Sequence, residues 1–118
     1  MSLSLTARKV GDVTVIDASG RITLGDATGN LRDTILQEAE KNSKIVLNLG
    51  DVNYIDSAGL GEMLGCFTSV KNRGGDLKLL NAQKRIKDLL QITRLYTIFE
   101  SFDDEAAAIG SFGKKASV

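Results

Sequence analysis

The residues best placed to do chemistry are an aspartate and a serine, Asp56 and Ser57, directly before an apolar helical pattern. A helix N-terminus presents unpaired backbone amides and a partial positive charge, which stabilise an exposed phosphate by about 0.3–1 kcal/mol. A phosphoryl group on Ser57 would therefore be tolerated at this position. The plain structural alternative is that Asp56 or Ser57 is an ordinary N-cap, and that Gly59 and Gly61 only let the first turn pack closely.

Other chemistries find little support in the residue types. The chain has no histidine, which removes most metal sites and the serine and cysteine triads. The segment GLGEMLG is not followed by Lys-Ser or Lys-Thr, so it does not indicate a phosphate-binding loop. An enzyme that used Ser57 as nucleophile, with Asp56 or Lys71 as helper, would lack a recognisable base. We therefore expect no enzymatic activity, no metal and no cofactor.

Composition indicates one domain over residues 1–118, with residues 113–118 as a frayed tail. Fifteen basic residues balance fifteen acidic residues, so nucleic acid is not favoured as a partner. The apolar runs are only a few residues long and no secretion signal is recognisable, which predicts no membrane span and a cytoplasmic location. The lone cysteine, Cys66, falls in an apolar helical pattern and is expected to be buried and inert.

The elements that position Ser57 follow from periodicity. Strands alternate with amphipathic helices after an opening hairpin, which predicts an α/β fold with a mostly parallel sheet, an antiparallel edge and the order ββαβαβαβα. The predicted strands cover residues 3–9, 13–18, 45–49, 76–80 and 97–100. The predicted helices cover residues 26–41, 60–70, 83–90 and 103–109, and a loop is predicted over residues 50–55.

Three segments resemble a known family: DSAGLG at 56–61, RGGDLKL at 73–79 and ITRLYTIF at 92–99. They are similar to the STAS family, particularly its bacterial anti-sigma factor antagonists, and the resemblance covers nearly the whole domain. It implies a mixed sheet flanked by about four helices, in accord with the element order above.

The resemblance also implies a switch. In such antagonists the serine after the aspartate, Ser57 here, is phosphorylated by a GHKL-type serine kinase that is also the anti-sigma factor, and a PP2C-type phosphatase restores it. The unphosphorylated protein binds the anti-sigma factor and the phosphorylated protein releases it. Whether the domain pairs with itself stays open. The implied partner-binding residues are Asp56, Ser57, Ala58, Gly59, Leu60 and Gly61, with Thr23 and Asp26.

One departure from the family pattern concerns the segment Gly20-Arg21-Ile22-Thr23, where Thr23 stands at the place of the usual acidic residue. Asp26 could supply a nearby carboxylate at a different spacing. Arg21 could pair with a phosphate on Ser57, although a solvated surface arginine is the simpler interpretation. The departure keeps a second hypothesis open, a constitutive scaffold or an accessory subunit of a signalling or lipid-transport assembly, without phosphorylation.

Two further features have plain interpretations. Lys84, Arg85 and Lys87, beside Lys78, form a mildly basic stretch that could meet an acidic partner or a phosphate, and a solvated helix face is the favoured alternative. Tyr54 either packs beneath the loop before Ser57 or lies on the partner face.

Overall fold

The structure is a computed structural model that describes residues 3–112, with the backbone alone described at residues 26–28. The predicted frayed tail at 113–118 lies outside the described residues. The strands are β1 (Leu3–Val10), β2 (Val13–Ile22), β3 (Lys44–Ile55), β4 (Asp76–Leu80) and β5 (Ser101–Phe102). The helices are α1 (Asp26–Lys41), α2 (Ser57–Asn72), α3 (Lys84–Ile92) and α4 (Glu105–Ser111), with a 3-10 turn at Leu95–Thr97.

The five strands form one sheet in the order β1-β2-β3-β4-β5. β1 runs antiparallel to β2 through a tight turn in which Gly11 has a φ of 64°. The other three pairs are parallel. The predicted mixed α/β architecture and its element order are therefore confirmed.

Helices cover the two faces of the sheet unequally. The larger apolar core joins one face to α1, α2 and α3. On the other face, α4 packs through Ala108 against a smaller cluster that includes Val13, Val15 and Val46, from the amino-terminal halves of β2 and β3. Farther along these strands Ser19 and Asn53 are exposed. The carboxyl-terminal half of this face is thus a polar surface.

The predicted loop over residues 50–55 is wrong, because β3 continues to Ile55. The second half of β3 pairs with the second half of β2, with Ser19 opposite Asp51 and Ile22 opposite Ile55. Two register shifts let the longer strand pair with β2. The polar residues that indicated a loop lie where the sheet has an uncovered face, so they are solvated within a strand.

The chain after α3 also differs from expectation. The predicted strand over 97–100 is wrong: a 3-10 turn ends at Thr97, and β5 begins at Ser101. Phe99, whose apolar character favoured a strand, is 1% exposed and packs edge-on against Phe67 with ring centroids 5.2 Å apart. The turn therefore anchors one aromatic ring in the core instead of pairing with β4.

Lys78 does not belong to a basic surface, which corrects a third expectation. It lies on β4, next to the edge strand β5 and beneath α4, and is 5% exposed. Its ammonium group contacts the Glu100 carboxylate and lies 4.9 Å from the centroid of the Phe112 ring. An opposite charge and an aromatic face together compensate a buried lysine for lost hydration.

Candidate functional site

Asp56 organises the junction between β3 and α2. Its φ of −91° and ψ of 179° are those of an N-cap, and Oδ1 accepts a 2.7 Å hydrogen bond from the N–H of Gly59. Its own N–H donates to the carbonyl oxygen of Ile22 at 3.2 Å, on the neighbouring strand. The N-cap interpretation is therefore confirmed for Asp56, and the start of α2 is fixed to the sheet from both sides.

Ser57 is the first residue of α2 and is exposed. A residue at this position has helical backbone geometry, yet its N–H is one of the donors that no intrahelical carbonyl can satisfy. The hydroxyl therefore stands in solvent at the positive end of a 16-residue helix. Local geometry thus permits a bulky anion here without displacement of buried groups.

The two glycines of the motif have different roles. A Cβ on Gly59 would lie 2.1 Å from the carbonyl oxygen of Ile22, a distance at which no side chain fits. A Cβ on Gly61 would meet nothing within 4 Å. Gly59 is therefore required for the close approach of α2 to β2, whereas Gly61 keeps the exposed face of the first turn smooth.

A second hydrogen bond joins Asp56 to the loop between β2 and α1. Oδ2 of Asp56 accepts from the N–H of Leu24 at 3.1 Å. This bond places Thr23, which is half-buried, in the same neighbourhood as the motif. Leu24 itself is 77% exposed, a large apolar side chain held outward beside the serine loop.

The charge at the site follows from these hydrogen bonds. The N–H groups of Gly59 and then of Leu24 stabilise the ionised carboxylate and lower the pKa of Asp56 below its ordinary value. Asp56 is therefore anionic at neutral pH, with its oxygens already engaged by the backbone. Such a group caps a helix well and is a poor proton acceptor for the Ser57 hydroxyl.

The structure brings most of the expected residues together. Thr23 lies in the β2–α1 loop and the motif 56–61 forms the N-cap and first turn of α2; Asp56 joins the two, and Leu60 is buried. Asp26 begins α1, and its side chain lies outside the described residues. Arg21 lies over the ring of Tyr54, with 5.1 Å between its guanidinium carbon and the ring centroid. The tyrosine is 38% exposed, so it does not pack beneath the loop.

Sequence reasoning missed Leu24. An isolated leucine between Thr23 and Gly25 carries no periodic signal, and Gly25 has a φ of 114° that begins the turn into α1. The available clue was its place one residue after the departure from the family pattern. Its significance appears only with the hydrogen bond to Asp56, which is 32 residues away in the chain.

The remaining expectations concern groups that the site does not use. Cys66 is 1% exposed, so its predicted burial is confirmed, and burial is the main cause that raises the pKa of its thiol to about 12. Within residues 3–112, no helix is both long enough and apolar enough to cross a membrane. In the same part of the chain, no three potential ligands among His, Cys, Asp and Glu group into a metal site.

Comparison with known protein families gives one match, to the family model described as the STAS domain, over residues 4–108. The chain is 41% identical over 70 residues to an anti-sigma-B factor antagonist of Bacillus subtilis, an alignment that covers 59% of this chain and 64% of that protein. This chain thus spans less than two thirds of the length of that relative, and the same holds for relatives from Paenibacillus polymyxa and Thermotoga neapolitana.

Solved structures share the fold at low sequence identity. The Thermotoga maritima protein TM1081 superposes with a TM-score of 0.82 at 24% identity, covering 91% of this chain and 92% of that chain. The phosphorylated form of the Bacillus cell fate determinant SpoIIAA superposes with a TM-score of 0.70 at 21% identity, covering 92% and 99% respectively. Both comparisons agree with the mixed sheet of five strands described above.

Proposed function

This chain belongs to the STAS domain family, and from that premise we propose that it is a non-catalytic anti-sigma factor antagonist switched by phosphorylation of Ser57. The partners are an anti-sigma factor of the GHKL serine kinase type and a PP2C-type phosphatase, and the exchange takes place in the cytoplasm. The unphosphorylated chain binds the anti-sigma factor, and the phosphorylated chain releases it.

The observation that carries the proposal is the exposure of Ser57 at the start of a helix that other residues hold in place. Asp56 supplies the cap and Gly59 supplies the packing contact, so neither function depends on the serine hydroxyl. A kinase can therefore reach the hydroxyl, and a phosphate can be added, while the fold is maintained. A serine that itself capped the helix would lose that bond on phosphorylation.

Electrostatics explain how a phosphate could release a partner. Phosphorylation adds a charge of about −1.5 to −2 at neutral pH. It would stand beside the ionised Asp56, where the helix N-terminus stabilises it in the free protein. A partner surface that fits a neutral hydroxyl would meet this charge without a compensating group. Since every 1.4 kcal/mol is about a tenfold change in affinity, two or three unfavourable contacts suffice for release.

The test uses the GHKL-type anti-sigma factor encoded by the same genome. Titration calorimetry compares its binding to wild type, to Ser57→Ala, to Ser57→Asp and to Ser4→Asp, which adds the same charge at an exposed serine on β1. We expect tight binding by wild type, Ser57→Ala and Ser4→Asp, and at least a hundredfold weaker binding by Ser57→Asp. With ATP, mass spectrometry should find one phosphate on wild type and none on Ser57→Ala.

Equal binding by Ser57→Asp and Ser4→Asp, together with no phosphate on wild type, would contradict the switch. Those results would favour the constitutive scaffold, for which Thr23 in place of an acidic residue is the motivating feature.

A further inference from the structure

Two exposed apolar side chains from different elements, Tyr54 on β3 and Ile92 on α3, line the same hollow. Among the described residues, the large apolar side chains that are exposed are Leu24, Tyr54, Ile92, Tyr96 and Ile98. Four of these five belong to Tyr54 or to the segment 92–98, at and just after the end of α3. Ile92 is 79% exposed although it lies in a helix whose other face is buried. Exposed apolar side chains that share a hollow mark an interaction surface, whereas single exposed apolar residues do not.

A groove lies between this end of α3 and the end of β3, and we name it the α3 groove. Its apolar half is a hollow of about 210 Å³ whose lining includes Tyr54, Ile55, Leu89 and Ile92. Its polar half is a hollow of about 440 Å³ whose lining includes Arg21, Asn53 and Gln83. Tyr54 and Arg85 line both hollows, so the two halves adjoin.

Two arginines give the polar half its charge. Arg21 is in cation–π contact with Tyr54, and neither Arg21 nor Arg85 makes an ion pair with any side chain that the structure describes. The lysines beside Arg85 on α3 are paired, Lys84 with Asp88 at 3.1 Å and Lys87 with Asp103 at 2.9 Å. The chain as a whole has no net charge. The α3 groove therefore presents uncompensated positive charge next to apolar surface.

Positive charge next to an apolar hollow favours one kind of occupant. A guanidinium group binds a carboxylate through parallel hydrogen bonds, and an adjacent apolar hollow takes an aliphatic side chain. A second copy of this chain is disfavoured, because a two-fold contact would oppose arginine to arginine. A membrane surface is disfavoured as well, because attraction to anionic lipid needs a cluster of several cations, and Asp88 lines the apolar half.

The location ties the groove to the serine site. Tyr54 and Ile55 end β3, and Asp56 and Ser57 follow directly in the chain. A partner that is large enough to cover Ser57 can therefore also place one of its own segments along α3.

We propose that the α3 groove binds a short amphipathic segment of the anti-sigma partner. The segment places a branched aliphatic side chain among Ile55, Leu89 and Ile92, and a carboxylate at Arg21 and Arg85. The inference rests on the proposed function for the identity of the partner. The contacts do not involve Ser57, so they add the same factor to the affinity of both phosphorylation states.

The chain offers a built-in probe for the test. It has two tyrosines, Tyr54 and Tyr96, and no tryptophan, and Tyr54 lines both halves of the groove. In a Tyr96→Phe background the tyrosine emission reports Tyr54 alone. The probe is a synthetic peptide of leucine, alanine and glutamate without aromatic residues, and its matched control has lysine at each glutamate position. Titration of each peptide into the protein gives the affinity.

We expect saturable binding of the glutamate peptide and at least tenfold weaker binding of the lysine peptide. Arg85→Glu and Ile92→Ser should each weaken binding of the glutamate peptide at least tenfold, which corresponds to about 1.4 kcal/mol. Lys9→Glu reverses the charge of an exposed lysine on β1 that does not line the groove, and should have little effect. The double variant with Arg21→Glu and Arg85→Glu should bind the lysine peptide more tightly than the glutamate peptide. Circular dichroism melts confirm that each variant is folded.

Several outcomes would overturn the proposal. These are absence of saturable binding, equal binding of the two peptides, and equal losses in Arg85→Glu and Lys9→Glu. Co-sedimentation with phosphatidylglycerol vesicles that Arg85→Glu abolishes would assign the groove to a membrane. Dimerisation that Ile92→Ser abolishes would assign it to a second copy. Ser57→Asp should leave peptide binding unchanged, so failure of the groove and failure of the serine switch are separate results.

Discussion

The carboxylate of Asp56 bridges the backbones of a loop and a helix, because Oδ2 accepts the N–H of Leu24 at 3.1 Å while Oδ1 accepts the N–H of Gly59 at 2.7 Å. One side chain thus fixes the β2–α1 loop against the first turn of α2. The exposed Leu24 and the exposed Ser57 therefore keep a fixed position relative to each other. The proposed partner meets a surface that is already formed.

Gly59→Ala should destabilise the fold, because the added methyl group would lie 2.1 Å from the carbonyl oxygen of Ile22 and α2 would have to move away from β2. We expect a loss of about 1–3 kcal/mol in the free energy of unfolding, as for overpacked sites. Gly61→Ala is the matched control, since its methyl group would enter open space. That variant should gain up to about 1 kcal/mol from helix propensity. Urea denaturation measures both, and equal effects of the two variants would refute the steric account.

Asp56→Ala should lower stability at neutral pH and should lower it much less in acid. The pKa of Asp56 in the folded chain is below the ordinary value of 3.8, so the carboxylate contributes stability that is fully present above pH 3.8. This contribution is lost as the pH falls through the folded pKa. Thermal melts of wild type and variant from pH 7 to pH 2.5 should therefore converge at the acid end. A difference that stays constant with pH would show that the charge of Asp56 is not involved.

Arg8→Gln should loosen α4 from the hairpin. The guanidinium group of Arg8 pairs with Asp17 and with Glu105, at 2.6 Å in each case, and these bonds lower the pKa of both carboxyl groups. The side chains are more than a third exposed, so solvent screening limits the expected loss to about 1 kcal/mol at neutral pH.

The loss in Arg8→Gln should shrink as the pH falls below the unfolded values of 3.8 for Asp17 and 4.5 for Glu105, because protonated carboxyl groups no longer attract the guanidinium. Hydrogen exchange should show faster opening of α4. Lys9→Gln, an exposed change on the same strand, serves as the control. An equal acceleration of exchange in both variants would contradict the role of Arg8.

Leu24→Ser should separate binding from stability. The side chain is 77% exposed and only its backbone N–H contacts Asp56, so stability should change by less than about 0.5 kcal/mol. Binding to the anti-sigma factor should weaken at least fivefold, because the leucine stands beside Ser57 on the proposed partner face. Calorimetry of binding and of unfolding on the same samples tests both statements. Unchanged affinity would exclude Leu24 from the interface.

Periodicity predicts the frame of this fold well. The bounds of α1 and β4 agree with the sequence prediction, because each coincides with a clear amphipathic or apolar pattern between turn residues. The prediction was wrong where one face of the sheet is uncovered. Residues Asp51 and Asn53 belong to a strand whose polar side is solvated, and polarity alone cannot distinguish such a strand from a loop.

The candidate site, like the fold, could be predicted from the sequence only in part. The motif around Ser57 is local in sequence, and its cap geometry could be predicted from Asp56 and the glycines that follow. The neighbours of the motif could not, because Leu24 and the α3 groove reach it through tertiary contacts. Arg85 looked like part of an ordinary solvated helix face, and only its place next to Tyr54 and Ile92 gives it a distinct role.

The edges of the sheet affect the concentration that this protein can reach in a cell without aggregating. The proposed function is binding in a stoichiometric complex, which would require the protein to accumulate to at least the concentration of its target, and long unpaired strand edges promote aggregation at high concentration. One edge here is β5, which is only two residues long. The other is β1, where Arg8 is paired with acidic groups and Lys9 is exposed. Short length at one edge and charge at the other favour a protein that stays dispersed when it is abundant.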